Sequence, residues 1–388
     1  MSKRDISRRD LDLVRLRPAR RTVLMLLIVA TVHLCARVPT VAAAAATEAR
    51  PARPVATKIA EFDAGNALWA IAFSPDGQHL AAKALMAPVV YICTLKAAAC
   101  SVFGHTDGES LGVLHKVALS YSPDGRYLAL VHDLQNPTVG SHQPVQSALH
   151  VWDVRSGQLV GVVANVPNGT TYPSLEFSPD GRSLLRLYQR GDRSPGDQLV
   201  VLSTNDWQAI WGLRTQPFQP VTLALSPDGR AVALGGVEIG TARALIWVIN
   251  TATHSVTLKI DAFSGPTEFE QLSWSPDGTQ IAAGVSPQSD RVPRENIKVF
   301  DARTGKLLAS AATSELLYGI EYAREGRYLV EADMSGFITV WDGSLKEIRQ
   351  RIDVGPTLRN AGGGLAVSRD GRLVAVAAGS HISVWILV

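Results

Sequence analysis

The chain has 388 residues, a formal net charge of +3, 46% hydrophobic and 19% charged residues, with Gly 32 and Pro 21. That balance excludes a largely disordered chain, a collagen-like repeat and, with one long apolar run, a multi-span membrane protein. The positive surplus is local: residues 1–46 carry nine Lys and Arg against three Asp, which leaves the remainder at −3. A basic groove then has no global support, and no nucleic-acid partner is expected.

Lys3, Arg4, Arg8, Arg9, Arg15, Arg17, Arg20 and Arg21 form a basic opening segment, followed by the apolar stretch Thr22 to Ala36. Arg37 and a run of small residues to Ala46 come next. This is the layout of a secretory signal peptide. A spanning helix needs about 20 apolar residues, and Arg37 interrupts this run early. Residues 1–46 are therefore read as a signal peptide, with an uncleaved N-terminal anchor as the alternative. Periplasmic or secreted localisation is expected, or inner-membrane anchoring that faces the periplasm. Membrane contact would come only through this segment. Arg20-Arg21-Thr22-Val23-Leu24 fits a twin-arginine pattern better than Ser7-Arg8-Arg9-Asp10-Leu11, although a basic opening segment explains both pairs. Cys35 follows Leu34 rather than a small residue, which argues against lipidation. Residues 47–54 (TEARPARP) read as a flexible linker.

Beyond the linker one short motif recurs. Ser-Pro-Asp-Gly ends at Gly77, Gly125, Gly181, Gly229 and Gly278, and degenerate copies end at Gly326 (YAREG) and Gly371 (VSRDG). A period near 48 residues signals a solenoid or a propeller. Pro presets the first corner of a tight turn, Asp caps backbone amides, and Gly takes the left-handed position. Alternating apolar residues precede each turn, as Ile71 and Phe73 do, and a second apolar run follows it. A third run then appears in every unit, among them VYIC at 90–93, VWDV at 151–154 and VWIL at 384–387. Most units open a fourth. Four short antiparallel strands in each of seven units predict an all-β, seven-bladed β-propeller.

These residues resemble the WD-repeat family over residues 55–388. The resemblance rests on the five full turns, on Trp152-Asp153 and Trp341-Asp342, on Phe300-Asp301 as a near match, and on the single pair Gly104-His105. Four third strands lack the aspartate and six units lack Gly-His, so the family's buried His–Ser/Thr–Trp–Asp network is mostly unavailable. Periplasmic propellers of the TolB kind share a similar turn. The seventh unit stops at Val388 after its third strand, while Lys58-Ile59-Ala60-Glu61-Phe62 precedes the first unit. The resemblance implies that this N-terminal strand completes the last blade and closes the ring, removing open sheet edges.

No catalytic, cofactor-binding or metal-ligating residues stand out, and no cofactor is expected. His132, His142 and His150 lack metal-site spacing. The turn aspartates are accounted for by their turns. Phosphate loops, nucleophile elbows and dinucleotide fingerprints are missing. Cys93 and Cys100 flank a six-residue hairpin loop and are disulfide candidates in an exported chain.

Loops between second and third strands are long in three units, at 135–147, 189–197 and 286–296. They share one rim with the connections between units. The residue five before each turn serine should lie near that rim: Trp69, Val117, Pro173, Val221, Glu270, Tyr318 and Gly363. Trp69, Tyr318 and Glu270, with Arg190, Arg193, Arg291 and Arg294 on the long loops, are the candidate partner-binding residues. The expectation is a non-enzymatic, monomeric scaffold that binds a protein or peptide. The alternative is a propeller enzyme of lactonase or quinoprotein type with a ligand in its channel.

Overall fold

The computed structural model describes residues 54–388 apart from 86, 106–117, 135–145, 167–173, 188–197, 242, 265–266, 288–294, 314–315 and 356–362. Pro54–Val388 form one compact unit. Its strands make seven four-stranded antiparallel sheets, six of them with strands in simple sequence order. The innermost strands of blades 1 to 7 are Leu68–Phe73, Ala118–Tyr121, Leu175–Phe177, Phe218–Leu225, Thr267–Trp274, Leu317–Ala323 and Gly363–Val367. Each touches the innermost strand of the next blade, and the seventh touches the first. The fold is a seven-bladed β-propeller, with no helix among the described residues.

Blade 7 breaks the sequence order. Its outer strand is Ala56–Asp63, paired antiparallel with His381–Leu387 in the register Ala56↔Leu387 to Asp63↔His381. Blade 6 holds this strand from the side. The Gln350 amide accepts from Ala56 N at 2.8 Å and donates to Ala56 O at 3.2 Å. Tyr328 O–H donates to Val388 O at 3.1 Å.

Burial grades outward along each blade. Second strands are covered on both faces because every blade is sandwiched between two others, so Tyr328–Asp333 is buried at all six positions. Outer strands alternate instead, as Ser255–Phe263 shows. Near the axis the blades converge, and the second strands there are rich in fully buried alanine, including Ala81, Ala82, Ala129, Ala233, Ala282, Ala283, Ala375 and Ala377. A small side chain permits that close approach; a larger one would over-pack it.

The turns between first and second strands are built as the motif predicts. In blade 1, Ser74 Oγ–H donates to Asp76 Oδ1 at 2.5 Å, Gln78 N donates to the same oxygen at 2.9 Å, and His79 N donates to Ser74 Oγ at 3.0 Å. The Ser–Asp contact recurs in blades 2, 3, 4, 5 and 7. Serine hydroxyls hold the Asp76, Asp180, Asp228 and Asp277 carboxyls below their usual range. The turns also link to one another. A Cβ added at Gly229 would lie 3.1 Å from Pro179 of the preceding blade, and the same proline-on-glycine contact recurs at Gly125, Gly181, Gly278 and Gly326.

Blade 6 departs from this pattern. Ala323 and Glu325 stand where the others have Ser and Asp, and Arg324 and Glu325 take φ of 50° and 57°. A proline could not adopt that conformation. Arg324 N instead donates to Gly371 O of blade 7 at 2.9 Å.

Candidate functional site

Among the described residues, four innermost strands carry a β-bulge near the loop-rich rim, at Leu68/Ala70, Pro220/Thr222, Phe269/Gln271 and Leu317/Gly319. The extra residues are Trp69, Val221, Glu270 and Tyr318, four of the seven positions that sequence spacing places at this rim. A bulge leaves one residue out of the ladder and re-aims its side chain. Trp69, Glu270 and Tyr318 are each partly buried. Burial, and then the field of Glu270 from across the seam between blades 5 and 6, raise the Tyr318 phenol. Trp69 occupies the equivalent bulge in blade 1. Arg190, Arg193, Arg291 and Arg294 lie outside the described residues, as do Val117 and Pro173. Of the enlarged loops, the structure assigns 146–147 and 286–287 to strands.

The axis holds a pair of side chains that composition and motifs did not reveal. Innermost strands leave one edge unpaired, so their N–H groups need partners. Side chains from the preceding blade supply them. Ser174 Oγ accepts from Leu223 N at 3.2 Å, Gln271 Oε1 from Ile320 N at 3.1 Å and Ser273 Oγ from Tyr322 N at 3.1 Å. Two seams use carboxylates. Glu176 Oε2 accepts from Leu225 N at 2.9 Å, and Glu321 Oε2 accepts from Val367 N at 2.8 Å. Gln271 Nε2–H also donates to Glu321 Oε1 at 2.9 Å.

Both carboxyls are pushed up to about 7. Burial is the main cause in each, opposed by the backbone N–H bonds and, at Glu321, by Gln271. Glu321 raises Glu176 further. Blades 3 and 6 are not neighbours, so this coupling runs across the axis. Both side chains retain some solvent access there although protein surrounds them. The signal was present in the sequence. The residue two before each turn serine, or its equivalent, reads Ala72, Ser120, Glu176, Ala224, Ser273, Glu321 and Ala366. Two glutamates stand in a ring otherwise made of small residues.

The turn-side rim holds a further bridge. Arg369 Nη1–H of blade 7 donates to Pro123 O of blade 2 at 2.9 Å, passing blade 1. Beside the irregular blade 6 turn lies a shallow pocket lined by Asp277, Gln280, Tyr322, Glu325, Arg327 and Asp342, among others. No group of three or more His, Cys, Asp or Glu side chains among the described residues is placed to hold a metal ion.

Cys93 and Cys100 face each other across the third and outer strands of blade 1 and form a disulfide. Gly104 lies against Trp152, but the indole N–H groups of Trp247 and Trp385 have no hydrogen-bond partner among the described residues.

The fold and these seams define a closed seven-bladed propeller whose blades are joined by side chains at the axis. The chain is similar to a solved structure of hydrazine synthase from Kuenenia stuttgartiensis, with a TM-score of 0.63 and 17% identity, covering 83% of this chain and 96% of that one. At that identity the likeness establishes the fold alone. No protein-family model matches the chain, and no curated protein sequence is recognisably similar to it.

Proposed function

We propose that this chain is a non-enzymatic scaffold of the cell envelope that presents its loop-rich rim to a protein or peptide. The observation that carries the reading is the set of bulges at one end of the ring, which lifts Trp69, Glu270 and Tyr318 out of their ladders. Aromatic residues at such positions are frequent anchors for a partner. The opposite rim is mostly built from repeated turns whose side chains are engaged with their own backbone. The exported setting is supported by the basic and apolar leader and by the paired cysteines. The Trp-Asp dipeptides and the turn motif support a WD-type propeller.

The test begins with a pull-down from the periplasmic fraction. Trp69→Ala or Tyr318→Ala should weaken partner binding by about 1–2 kcal/mol or more where either is an anchor. Circular dichroism and thermal melting must show both variants folded. Loss of binding only from Arg126→Ala and Arg182→Ala, beside the turns, would place the interface on the other rim.

The Glu176–Glu321 pair favours a second reading, a propeller enzyme of lactonase or quinoprotein type with its ligand on the axis. Carboxyls near neutrality are suited to proton transfer. Metal or cofactor recovered from the purified chain would support that reading over the scaffold.

A further inference from the structure

The seams between blades are not chemically equivalent. Blade 5 caps blade 6 with neutral groups, Gln271 and Ser273. Blade 3 caps blade 4 through Glu176, and blade 6 caps blade 7 through Glu321. We propose that these two carboxyls make the blade 3–4 and blade 6–7 seams a proton-linked device, tighter when the pair holds a proton and looser when both are ionised.

The geometry supplies the mechanism. Each carboxyl sits on an innermost strand, bonded to an amide of the next blade, at equivalent positions on blades 3 and 6, which are not neighbours in the ring. When both ionise, each leaves a negative charge largely out of water, and that of Glu321 acts on Glu176. Nothing on the innermost strands offsets them, because those seven strands contain no Lys, Arg or His. The titratable residues they do contain are Tyr121 on blade 2, Glu268 and Glu270 on blade 5, and Tyr318 and Tyr322 on blade 6, beside the pair itself. The innermost strands of blades 4 and 7 contain none. On the adjoining second strands, Arg186 pairs with Leu175, next to Glu176, and Glu331 pairs with Ile320, next to Glu321. The first is a cation beside one seam and the second a further acid beside the other. An ionised carboxylate makes the stronger bond to a backbone N–H, which opposes the loosening. Burial outweighs it in both groups, and at Glu176 the charge of Glu321 adds to burial. Both carboxyls are therefore displaced into the neutral range, Glu176 in part by the charge of Glu321. One strand of each seam carries a rim bulge, that of blade 4 in the first and that of blade 6 in the second, so the proton count also bears on how firmly Val221 and Tyr318 are held.

Hydrogen–deuterium exchange tests this directly. Peptides covering 218–225 and 363–367 should lose protection by at least about tenfold between pH 5.5 and 8.5, after correction for intrinsic exchange. The peptide covering 68–73, on an innermost strand with neither carboxyl in its seam with blade 7, should show no such loss. Glu176→Gln and Glu321→Gln keep a carbonyl acceptor for the amide and remove the charge. The double variant should hold both peptides at their low-pH protection throughout. Each single variant should reduce the loss at both seams, more strongly at its own, which keeps the test usable if the double variant folds poorly. Protection in the native chain that is independent of pH would overturn the proposal. So would a pH-dependent loss that persists unchanged in the glutamine variants.

Discussion

Glu331 lies on the second strand of blade 6, opposite Thr339, with Arg351 one strand further out. Burial is the main cause that pushes its carboxyl up to about 8 from an ordinary 4.5. Thr339 and Arg351 pull it down in part, and Asp333 pushes it further up. The folded chain therefore holds this proton more firmly than the unfolded chain does. The stability tied to it is fully present below about 4.5 and is lost as pH rises towards 8. Glu176 and Glu321 act in the same direction up to about 7. The turn aspartates act oppositely: their lowered carboxyls contribute above their unfolded value, and that contribution is lost in acid. Melting temperature should consequently fall between pH 5 and 8, and Glu331→Gln should flatten the upper part of that fall. A variant whose profile matches the native one would show that Glu331 does not set it. Composition does not disclose such groups. Glu331 follows Val330 in an apolar run, and only the folded blade, which leaves the residue 2% exposed, shows that its carboxyl is buried.

At the scale of elements, the turns were legible in the sequence and the bulges were not. Ser-Pro-Asp-Gly states its own geometry, because proline, a capping carboxylate and a left-handed glycine each constrain the backbone. A bulge adds one residue opposite none, and period-two patterning does not record it. Spacing from the turn still found Trp69, Glu270 and Tyr318, because the turn fixes the register of the strand before it. The blade 6 turn was visibly degenerate, but its left-handed Arg324 and Glu325 follow from contact with Gly371, which lies in another blade. The Cys93–Cys100 bond belongs to this scale too. It ties the mostly exposed outer strand Ala99–His105 to the buried third strand of blade 1. Mass spectrometry of native material should find no free thiol at either position, and two free thiols would refute the bond. Replacing both residues by serine should cost about 2 kcal/mol in the loop-closure account. Faster exchange confined to residues 99–105 would locate that cost.

For the whole molecule, the seven recurrences of the turn motif set the number of blades, and the pairing of Ala56–Asp63 with His381–Leu387 makes the ring continuous. Deleting residues 47–63 should leave blade 7 with three strands and an unpaired edge. The expected outcome is a lower melting temperature and self-association in size-exclusion chromatography. A truncated chain that stays monomeric and equally stable would show that closure is dispensable. What stayed hidden at this scale was the axis. Its glutamates lie 145 positions apart in the sequence, at 176 and 321, and only the circular arrangement brings both onto strands around one axis, where the charge of one acts on the other.

The closing strand also sets an order of events. Six blades are each contiguous in the chain, so each can assemble from local hairpins as its residues become available. Blade 7 cannot, since Ala56 meets Leu387 only after all the intervening residues exist. During synthesis the 56–63 segment must wait unpaired, and the Gln350 clamp that grips it from blade 6 also arrives late. The nascent chain thus has an open interval in which a stray edge strand could take the vacant place in blade 7. Supplying a synthetic 54–63 peptide during refolding should divert part of the population into rings closed by the wrong strand. The diverted fraction would report how long the ring stands open.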